Sequence, residues 1–173
     1  MDEKFKDTWF FEDVPVGTKT RSKTGRTIRE CDILNFAGIS GEYAPIHIDD
    51  EYAKKTKYGG IVAQDILLYT FTPSIEPTSE MMSKMNNSIL ATKGQKNWKF
   101  LGKAKVGDTI YTSSEIVRKE EKTPKNGGVS TRGTIIIQMS ILNQRDEILQ
   151  TGEYHLVLAK RCYFEPKKKK AAK

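Results

Sequence analysis

Apolar and polar side chains alternate along the second half of the chain. Between positions 129 and 142, isoleucine, valine and methionine recur with serine, threonine, arginine and glutamine between them. A period of two gives a β-strand one apolar face and one polar face, which is typical of a half-buried antiparallel sheet. Residues 109–117 and 148–160 predict two further strands, and the turn-forming segments TPKNGG and NQRDE separate the three.

The first half of the chain predicts helices instead. Thr27 and Glu30 fit a capping box, in which two side chains bond the free N–H groups at a helix start. The helix that follows is expected to end near position 38 or 41, because the glycines there readily adopt the left-handed conformation that ends helices. A second short helix is expected after them, with Asp49 or Asp50 as its cap.

A long apolar run, IVAQDILLYTFT, begins at Ile61. Its length predicts a buried helix, and Pro73 and Pro77 mark the far end because proline interrupts helical hydrogen bonds. Helices followed by a meandering sheet indicate an α+β domain, in which the helix from Ile61 covers the sheet. We expect a single domain over residues 1–166.

The net charge of +7 is concentrated in the final residues. The segment KKKKAAK holds five of the 29 Lys and Arg residues, so positions 1–166 carry 24 against 22 Asp and Glu, or +2. A nearly neutral body argues against nucleic-acid binding, and residues 167–173 are expected to form a lysine-rich disordered tail. The chain shows neither a membrane-spanning apolar run nor a secretory signal, so a cytoplasmic protein is expected. Two cysteines predict neither a disulfide framework nor a metal site.

The segment GEYAPIH is the strongest candidate for chemistry. It places Glu42 five residues before His47, one of two histidines in the chain, and Pro45 stiffens the backbone between them. Histidine suits proton transfer because its unperturbed pKa is about 6.5. The segment is either an ordinary acidic turn between two helices or a place where a proton is moved.

The residues around this segment resemble a known family. RTIRECDILNFAGISGEYAPIHIDDEYAKKTKYGGIVAQDILL is similar to the hydratase signature of MaoC-like, (R)-specific enoyl-CoA hydratases, and WFFEDVPVGT, FLGKAKVGDTI and NQRDEILQTGEYHLVLAKR extend the likeness to Arg161. The resemblance implies the hot-dog fold, an antiparallel sheet wrapped around a long central helix, in a protein that dimerises. It also implies reversible hydration of an enoyl-CoA thioester in fatty acid metabolism, with no metal and no cofactor beyond the coenzyme A of the substrate.

The same resemblance assigns roles to individual residues. Adding water to an enoyl thioester requires a base and an acid, so Glu42 and His47 are expected to share one water as the catalytic pair. Negative charge then develops on the thioester oxygen, and the backbone N–H of Asp65, at the start of a buried helix, is expected to stabilise it. The expected substrate-binding residues are Ala44, Gly60, Gln64 and Tyr69.

The chain departs from the family signature at several of these positions. Glu42 replaces the catalytic Asp, Ala44 replaces an Asn, and Ala63-Gln64-Asp65 replaces Ala-His-Gly. Two alternatives therefore stay open: a hot-dog thioesterase that uses Asp65 as base or nucleophile, and a non-catalytic acyl-CoA-binding subunit. The expected partners are an acyl-CoA thioester and a second copy of the chain in a homodimer or higher oligomer, or another hot-dog chain in a hetero-oligomer.

Plainer interpretations stand beside these roles. His47 is otherwise a structural loop histidine, Glu42 a surface carboxylate in a turn, and Asp65 a helix-capping residue. The other histidine, His155, shares a strand face with Glu153 and is expected to be exposed.

Overall fold

The structure is a computed structural model that describes residues 3–121 and 128–164. The tail predicted at residues 167–173 and most of the TPKNGG turn lie outside the described residues. Among the helices within those two stretches, none combines the length and the apolar character needed to cross a membrane.

A six-stranded antiparallel sheet forms the body of the protein. Its hydrogen-bonded order is β1-β4-β5-β6-β3, and β2 pairs with β4. The strands are β1 Lys19–Arg21, β2 Arg26–Thr27, β3 Ile89–Phe100, β4 Thr109–Glu120, β5 Arg132–Leu142 and β6 Ile148–Ala159.

Within the described residues, six short α-helices lie between β2 and β3. They are α1 Glu30–Ser40, α2 Pro45–Ile48, α3 Asp50–Lys54, α4 Asp65–Thr70, α5 Thr72–Ile75 and α6 Glu80–Met85. Single 3₁₀ turns occupy Glu3–Phe5, Glu76–Thr78, Asn86–Ser88 and Arg161–Tyr163. Helices in the first half and a meandering sheet in the second half confirm the α+β prediction.

The alternation of apolar and polar residues in the second half of the chain corresponds to two different faces of the sheet, as predicted. Ile135 and Ile137 of β5 pack in a buried cluster with Met81 and Met85. On the opposite face, the half-buried Gln138 donates a 2.7 Å hydrogen bond to the hydroxyl of Thr151 on β6. The period of two therefore separates the core face of β5 from a more polar face, on which Ile136 is a buried apolar exception.

The central helix begins later than the apolar run predicts. Residues 61–64 are extended because they pair with the segment after β3, where the Ala63 N–H donates to the Ala104 carbonyl at 2.8 Å. The helix then runs through α4 and α5 with an interruption at Phe71. Pro73 has no N–H for the Tyr69 carbonyl, and the Thr72 hydroxyl donates to that carbonyl instead at 2.9 Å.

The predicted capping box before α1 is wrong. Thr27 ends β2, and its hydroxyl oxygen lies 2.8 Å from that of Thr109 on β4. Helix α1 starts at Glu30, and the carboxylate of Asp32 accepts the Arg29 N–H at 2.8 Å. The predicted end is confirmed, since α1 stops at Ser40 and the glycine after it has φ of 77°.

Sequence patterning missed the edge strand β3 and misjudged His155. Strand β3 is mostly exposed and has three register shifts, so its sequence lacks a regular alternation. His155 is only 7% exposed, and it lies on β6 between Ile136 of β5 and Gly94 of β3. Its Nε2 lies 3.0 Å from the carboxylate of Glu153.

Candidate active site

His47 occupies a single helical turn rather than a loop. Pro45 is the first residue of α2, where its missing N–H breaks no helical bond. Ala44 before it is extended, with φ of −60° and ψ of 136°, as a residue preceding proline should be. This turn directs the imidazole inward, and His47 is only 5% exposed.

A backbone carbonyl fixes the imidazole. The Nδ1 atom of His47 lies 2.7 Å from the carbonyl oxygen of Val62. A carbonyl oxygen only accepts hydrogen bonds, so Nδ1 carries the hydrogen and Nε2 of the neutral ring has a free lone pair. The Val62 N–H in turn donates to the Ile46 carbonyl at 3.3 Å, which ties α2 to the segment leading into α4.

The lone pair of His47 faces Glu42. The Glu42 Oε1 atom lies 3.6 Å from His47 Nε2, and the Glu42 side chain is 45% exposed. Glu42 is held there by the turn that follows α1, where its N–H donates to the Ser40 hydroxyl at 3.2 Å. A separation of 3.6 Å is too long for a direct hydrogen bond but lets one water contact both groups.

A cavity of about 370 Å³ opens beside His47. This volume lies within the usual range for small-molecule sites, about 300–1,000 Å³. Of the predicted site residues, His47 and Gly60 line this cavity, and the other five do not. The remaining lining is apolar from Ile33, Leu34, Ile48, Ile61 and Val106, and charged from Glu30, Asp50 and Lys105.

Asp65 is the first residue of α4 and does not cap it. Its backbone N–H therefore has no acceptor within the helix. Its Oδ2 atom forms a 2.5 Å ion pair with Lys103 Nζ, whereas Oδ1 is buried and has no hydrogen-bond partner. The carboxylate thus turns to Lys103 instead of to the free N–H groups of the helix, and the capping interpretation is wrong.

Two glutamines hold the start of α4. Gln64 is fully buried, and its Nε2 donates to the Ile33 carbonyl of α1 at 3.2 Å. Its Oε1 is buried without a partner. Gln150 of β6 donates to the Asp65 carbonyl at 2.7 Å and accepts the Trp98 indole N–H at 3.0 Å. The helix start is therefore fastened to α1 and to the sheet.

Tyr69 packs against the edge strand β3. Its ring makes an edge-to-face contact with Trp98 at 5.0 Å between centroids, and its hydroxyl bonds the Gln95 side chain. Burial raises the pKa of the Tyr69 phenol, and the nearby Tyr154 adds to the rise. The phenol is thus held in the neutral form at physiological pH.

No sequence pattern pointed to Val62, Lys103 or Gln150. The Asp65 and Lys103 positions are 38 residues apart, and Gln150 lies 85 residues beyond Asp65. No spacing rule links residues that meet only through sheet pairing. Within residues 3–121 and 128–164, no group of three or more His, Cys, Asp or Glu residues is placed to hold a metal ion.

Comparison with known proteins gives consistent matches. A family model described as the MaoC like domain matches residues 12–136. The chain is 27% identical over 113 residues to the MaoC protein of Klebsiella aerogenes, covering 65% of this chain but only 32% of that protein. It is 28% identical over 110 residues to an (R)-specific enoyl-CoA hydratase of Rhodospirillum rubrum, covering 62% of this chain and 69% of that enzyme.

Solved structures confirm the predicted hot-dog fold. An Archaeoglobus protein described as a monoamine oxidase regulatory protein superimposes with a TM-score of 0.74 at 29% identity, covering 88% of this chain and 95% of its own. A Mycobacterium tuberculosis protein with a double hot-dog fold superimposes with a TM-score of 0.73 at 19% identity, covering 92% of this chain and 47% of its own. The antiparallel sheet around α4 and α5 is that fold.

Proposed function

Because the chain belongs to the MaoC-like domain family, we propose that it is an enoyl-CoA hydratase or 3-hydroxyacyl-CoA dehydratase. It would add water reversibly to the double bond of an enoyl thioester. The observation that carries this proposal is the 3.6 Å approach of the Glu42 carboxylate to the free Nε2 of the buried His47. The (R)-specific hydratase relative from Rhodospirillum rubrum supports the same chemistry.

The proposed pair holds one water that contacts both acceptors. The Val62 carbonyl keeps the hydrogen on Nδ1 of His47, so Nε2 is available to take a proton from that water. The water oxygen then bonds the β-carbon of the substrate while the π electrons move toward the thioester oxygen. The pair returns a proton to the α-carbon, which completes the addition of H and OH.

The thioester oxygen gains negative charge during this step. We assign its stabilisation to the backbone N–H of Asp65, which is free of helical bonding and lies at the positive end of α4. Gln150 supports this role because it fixes the next peptide group through the Asp65 carbonyl. Ala44, Gly60, Gln64 and Tyr69 stay proposed as substrate-binding residues, and Gly60 has the most direct support because it lines the cavity with His47.

The proposed partners follow from the same chemistry. The substrate is an acyl-CoA thioester, and the hydration step itself uses no cofactor other than the substrate's coenzyme A. The active form is proposed as a homodimer or higher oligomer, with a hetero-oligomer containing another hot-dog chain as the alternative. A cytoplasmic location is proposed because coenzyme A thioesters are made and used there.

A spectroscopic screen tests the proposed function. Purified protein is mixed with a panel of enoyl-CoA and 3-hydroxyacyl-CoA thioesters, and the absorbance of the conjugated thioester is followed. We expect it to fall with one or more enoyl substrates and to stay constant with the His47→Ala variant. His155→Gln is the matched control, because His155 pairs with Glu153 on the sheet and has no proposed role. Unchanged turnover in His47→Ala would remove His47 from the mechanism.

The thioesterase alternative keeps one observation in its favour. The Asp65 Oδ1 atom is buried and has no hydrogen-bond partner, so no hydrogen bond would have to break before it acted on a substrate. Release of free thiol from saturated acyl-CoA thioesters identifies this activity, because a hydratase leaves the thioester bond intact. If no substrate is turned over and the chain co-purifies with a second hot-dog protein, the non-catalytic subunit is the better description.

A further inference from the structure

We propose that Lys103 is a positioning residue for the reaction, because its ammonium group holds the Asp65 carboxylate and balances its charge beside the thioester oxygen. The inference rests on the proposed function, since it gives Lys103 a task in that same site. It explains how this chain tolerates an acidic residue at the position whose backbone N–H is assigned to the developing negative charge.

Backbone pairing fixes the place of Lys103. The N–H groups of Leu101 and Gly102 both donate to the Leu149 carbonyl, at 2.8 and 3.0 Å. On the other side, the Ala104 carbonyl accepts the Ala63 N–H at 2.8 Å. Lys103 thus lies between Gly102 and Ala104, whose backbones are both hydrogen-bonded, and it faces the start of α4.

The ion pair itself is short and mostly shielded. Lys103 Nζ lies 2.5 Å from Asp65 Oδ2, and the two side chains are 26% and 23% exposed. The second carboxylate oxygen, Oδ1, is buried without a partner. Among residues 3–121 and 128–164, Lys103 is therefore the only side chain that forms a hydrogen bond or ion pair with this carboxylate. Its loss would leave a partly buried charge without compensation.

The charge of the Asp65 carboxylate affects the reaction because it lies close to the assigned oxyanion donor. Its own backbone N–H is assigned to an oxygen that becomes negative in the transition state, and a carboxylate on the same residue opposes that charge. Lys103 offsets the opposition in two ways. It supplies a positive charge, and it keeps the carboxylate turned toward itself.

The start of α4 is held by hydrogen bonds that do not involve the Asp65–Lys103 ion pair, so the electrostatic role of Lys103 can be tested apart from the structure of the helix start. The Asp65 carbonyl is held by Gln150, and Gln64 is held by the Ile33 carbonyl. Neither bond uses the Asp65 side chain or Lys103. A glycine at position 65 keeps the backbone N–H and the bond to Gln150, while it removes the charge that Lys103 balances.

A double-variant experiment tests the inference. Hydration by the wild type is compared with Lys103→Met, Asp65→Gly and the combined Asp65→Gly/Lys103→Met variant, with thermal unfolding measured for each. We expect Lys103→Met to lower kcat by about tenfold or more while KM changes by less than about threefold, because the unbalanced charge opposes the transition state more than the ground state. In the Asp65→Gly background the same Lys103→Met change should lower kcat by less than about threefold, because no carboxylate is left for Lys103 to balance.

Two controls sharpen the comparison. Lys103→Arg keeps the charge and should retain activity within a few-fold, about the cost of a changed geometry. Lys54→Met removes a lysine from an exposed pair with Glu51, 2.8 Å apart on α3, and should leave kcat unchanged. If Lys103→Met does not fold, the combined variant and Lys103→Arg still decide the question.

The outcomes separate the inference from the proposed function. An active wild type in which Lys103→Met keeps its kcat, or in which Lys103→Met lowers kcat as much in the Asp65→Gly background as in the wild type, overturns the role of Lys103 and leaves the hydratase proposal standing. A wild type that hydrates no substrate overturns both, because Lys103 then has no reaction to serve.

Discussion

The Nδ1 atom of His47 and the carbonyl oxygen of Val62 lie 2.7 Å apart inside the protein. Because the carbonyl only accepts, this contact selects one tautomer, with the hydrogen on Nδ1 and a lone pair on Nε2. Nitrogen-15 chemical shifts of the neutral imidazole should show a protonated Nδ1 and an unprotonated Nε2. The His47→Ala variant assigns the signals, since His155 is the other histidine. A protonated Nε2 would mean that this nitrogen cannot take a proton from water.

The length of the Glu42 side chain is predicted to matter as much as its charge. Glu42→Gln keeps the size and removes the base, so kcat/KM should fall by about a hundredfold or more. Glu42→Asp keeps the charge but withdraws the carboxylate from its 3.6 Å approach to His47. A displacement of about 1 Å can cost about a hundredfold, so Glu42→Asp should also be far below the wild type.

Steady-state hydration kinetics check both Glu42 variants. Glu51→Gln is the control, because Glu51 is an exposed carboxylate of α3 that pairs with Lys54. Wild-type activity in Glu42→Asp would show that the backbone of this chain suits the Asp of the family signature as well as it suits Glu.

A buried carboxylate in the core predicts a pH-dependent stability. Glu76 is 4% exposed, its Oε1 accepts the Ser114 hydroxyl at 2.8 Å, and Oε2 has no partner. Burial raises the pKa of Glu76 from its usual value of 4.5, and the neighbouring hydroxyl groups of Thr112 and Ser114 offset only part of the rise. The folded state therefore binds this proton more tightly than the unfolded state. The resulting stability is fully present below about pH 4.5 and is lost as pH rises through the folded pKa.

Chemical denaturation from below pH 4.5 to neutral pH checks the sign of this pH dependence of stability. Glu76→Gln cannot ionise, so its free energy of unfolding relative to the wild type should increase as pH rises from about 4.5 through the folded pKa and then level off. Glu80→Gln is the contrasting control, because the Lys84 hydrogen bond lowers the pKa of the exposed Glu80 and reverses the sign. A difference between Glu76→Gln and the wild type that does not change with pH would show that Glu76 titrates normally in the fold.

Strand β6 approaches β3 so closely that only glycine fits at position 152. A Cβ there would lie 2.4 Å from Trp98 Cε3 and 2.8 Å from Trp98 Cα. The Cα belongs to the backbone of β3 and cannot move without disturbing the pairing of the two strands. Gly152→Ala should therefore lower the free energy of unfolding by about 1–3 kcal/mol.

Thermal or denaturant unfolding measures the effect of Gly152→Ala. Gly60→Ala is the matched control, because a Cβ at Gly60 meets nothing within 4 Å. Equal stability of the two variants would contradict the close approach of Trp98.

Much of the fold could be predicted where burial leaves a regular pattern. Strand β5 has one face in the core, where Ile135 and Ile137 lie, and Thr134, Gln138 and Ser140 occupy alternate positions, with Ile136 as the exception. The edge strand β3 could not be predicted, because an exposed strand with three register shifts needs no apolar period. The start of the central helix was misplaced for a different reason. Residues 61–63 are apolar and extended, and they pair with the segment after β3. An apolar run alone does not distinguish a paired segment from a helix.

The candidate site divides in the same way. Glu42 and His47 are close in sequence, so a motif could predict that they act together. Whether they share a reaction stays a prediction, but their approach to 3.6 Å is an observation. Lys103 and Val62 could not be predicted, because they reach Asp65 and His47 through backbone pairing between distant segments. The charge at Asp65 was visible in the sequence, and its compensation was not.

The central claim is that Glu42 and His47 act as a unit on one water. The most direct test is kcat/KM for enoyl-CoA hydration by Glu42→Gln, His47→Ala and the variant that combines them, at equal folded concentration. When two residues act in one step, the effects of their substitutions on kcat/KM are strongly non-additive. The combined variant should therefore be slower than the worse single variant by less than about threefold. If the two losses multiply, the groups act independently, and the shared water is contradicted.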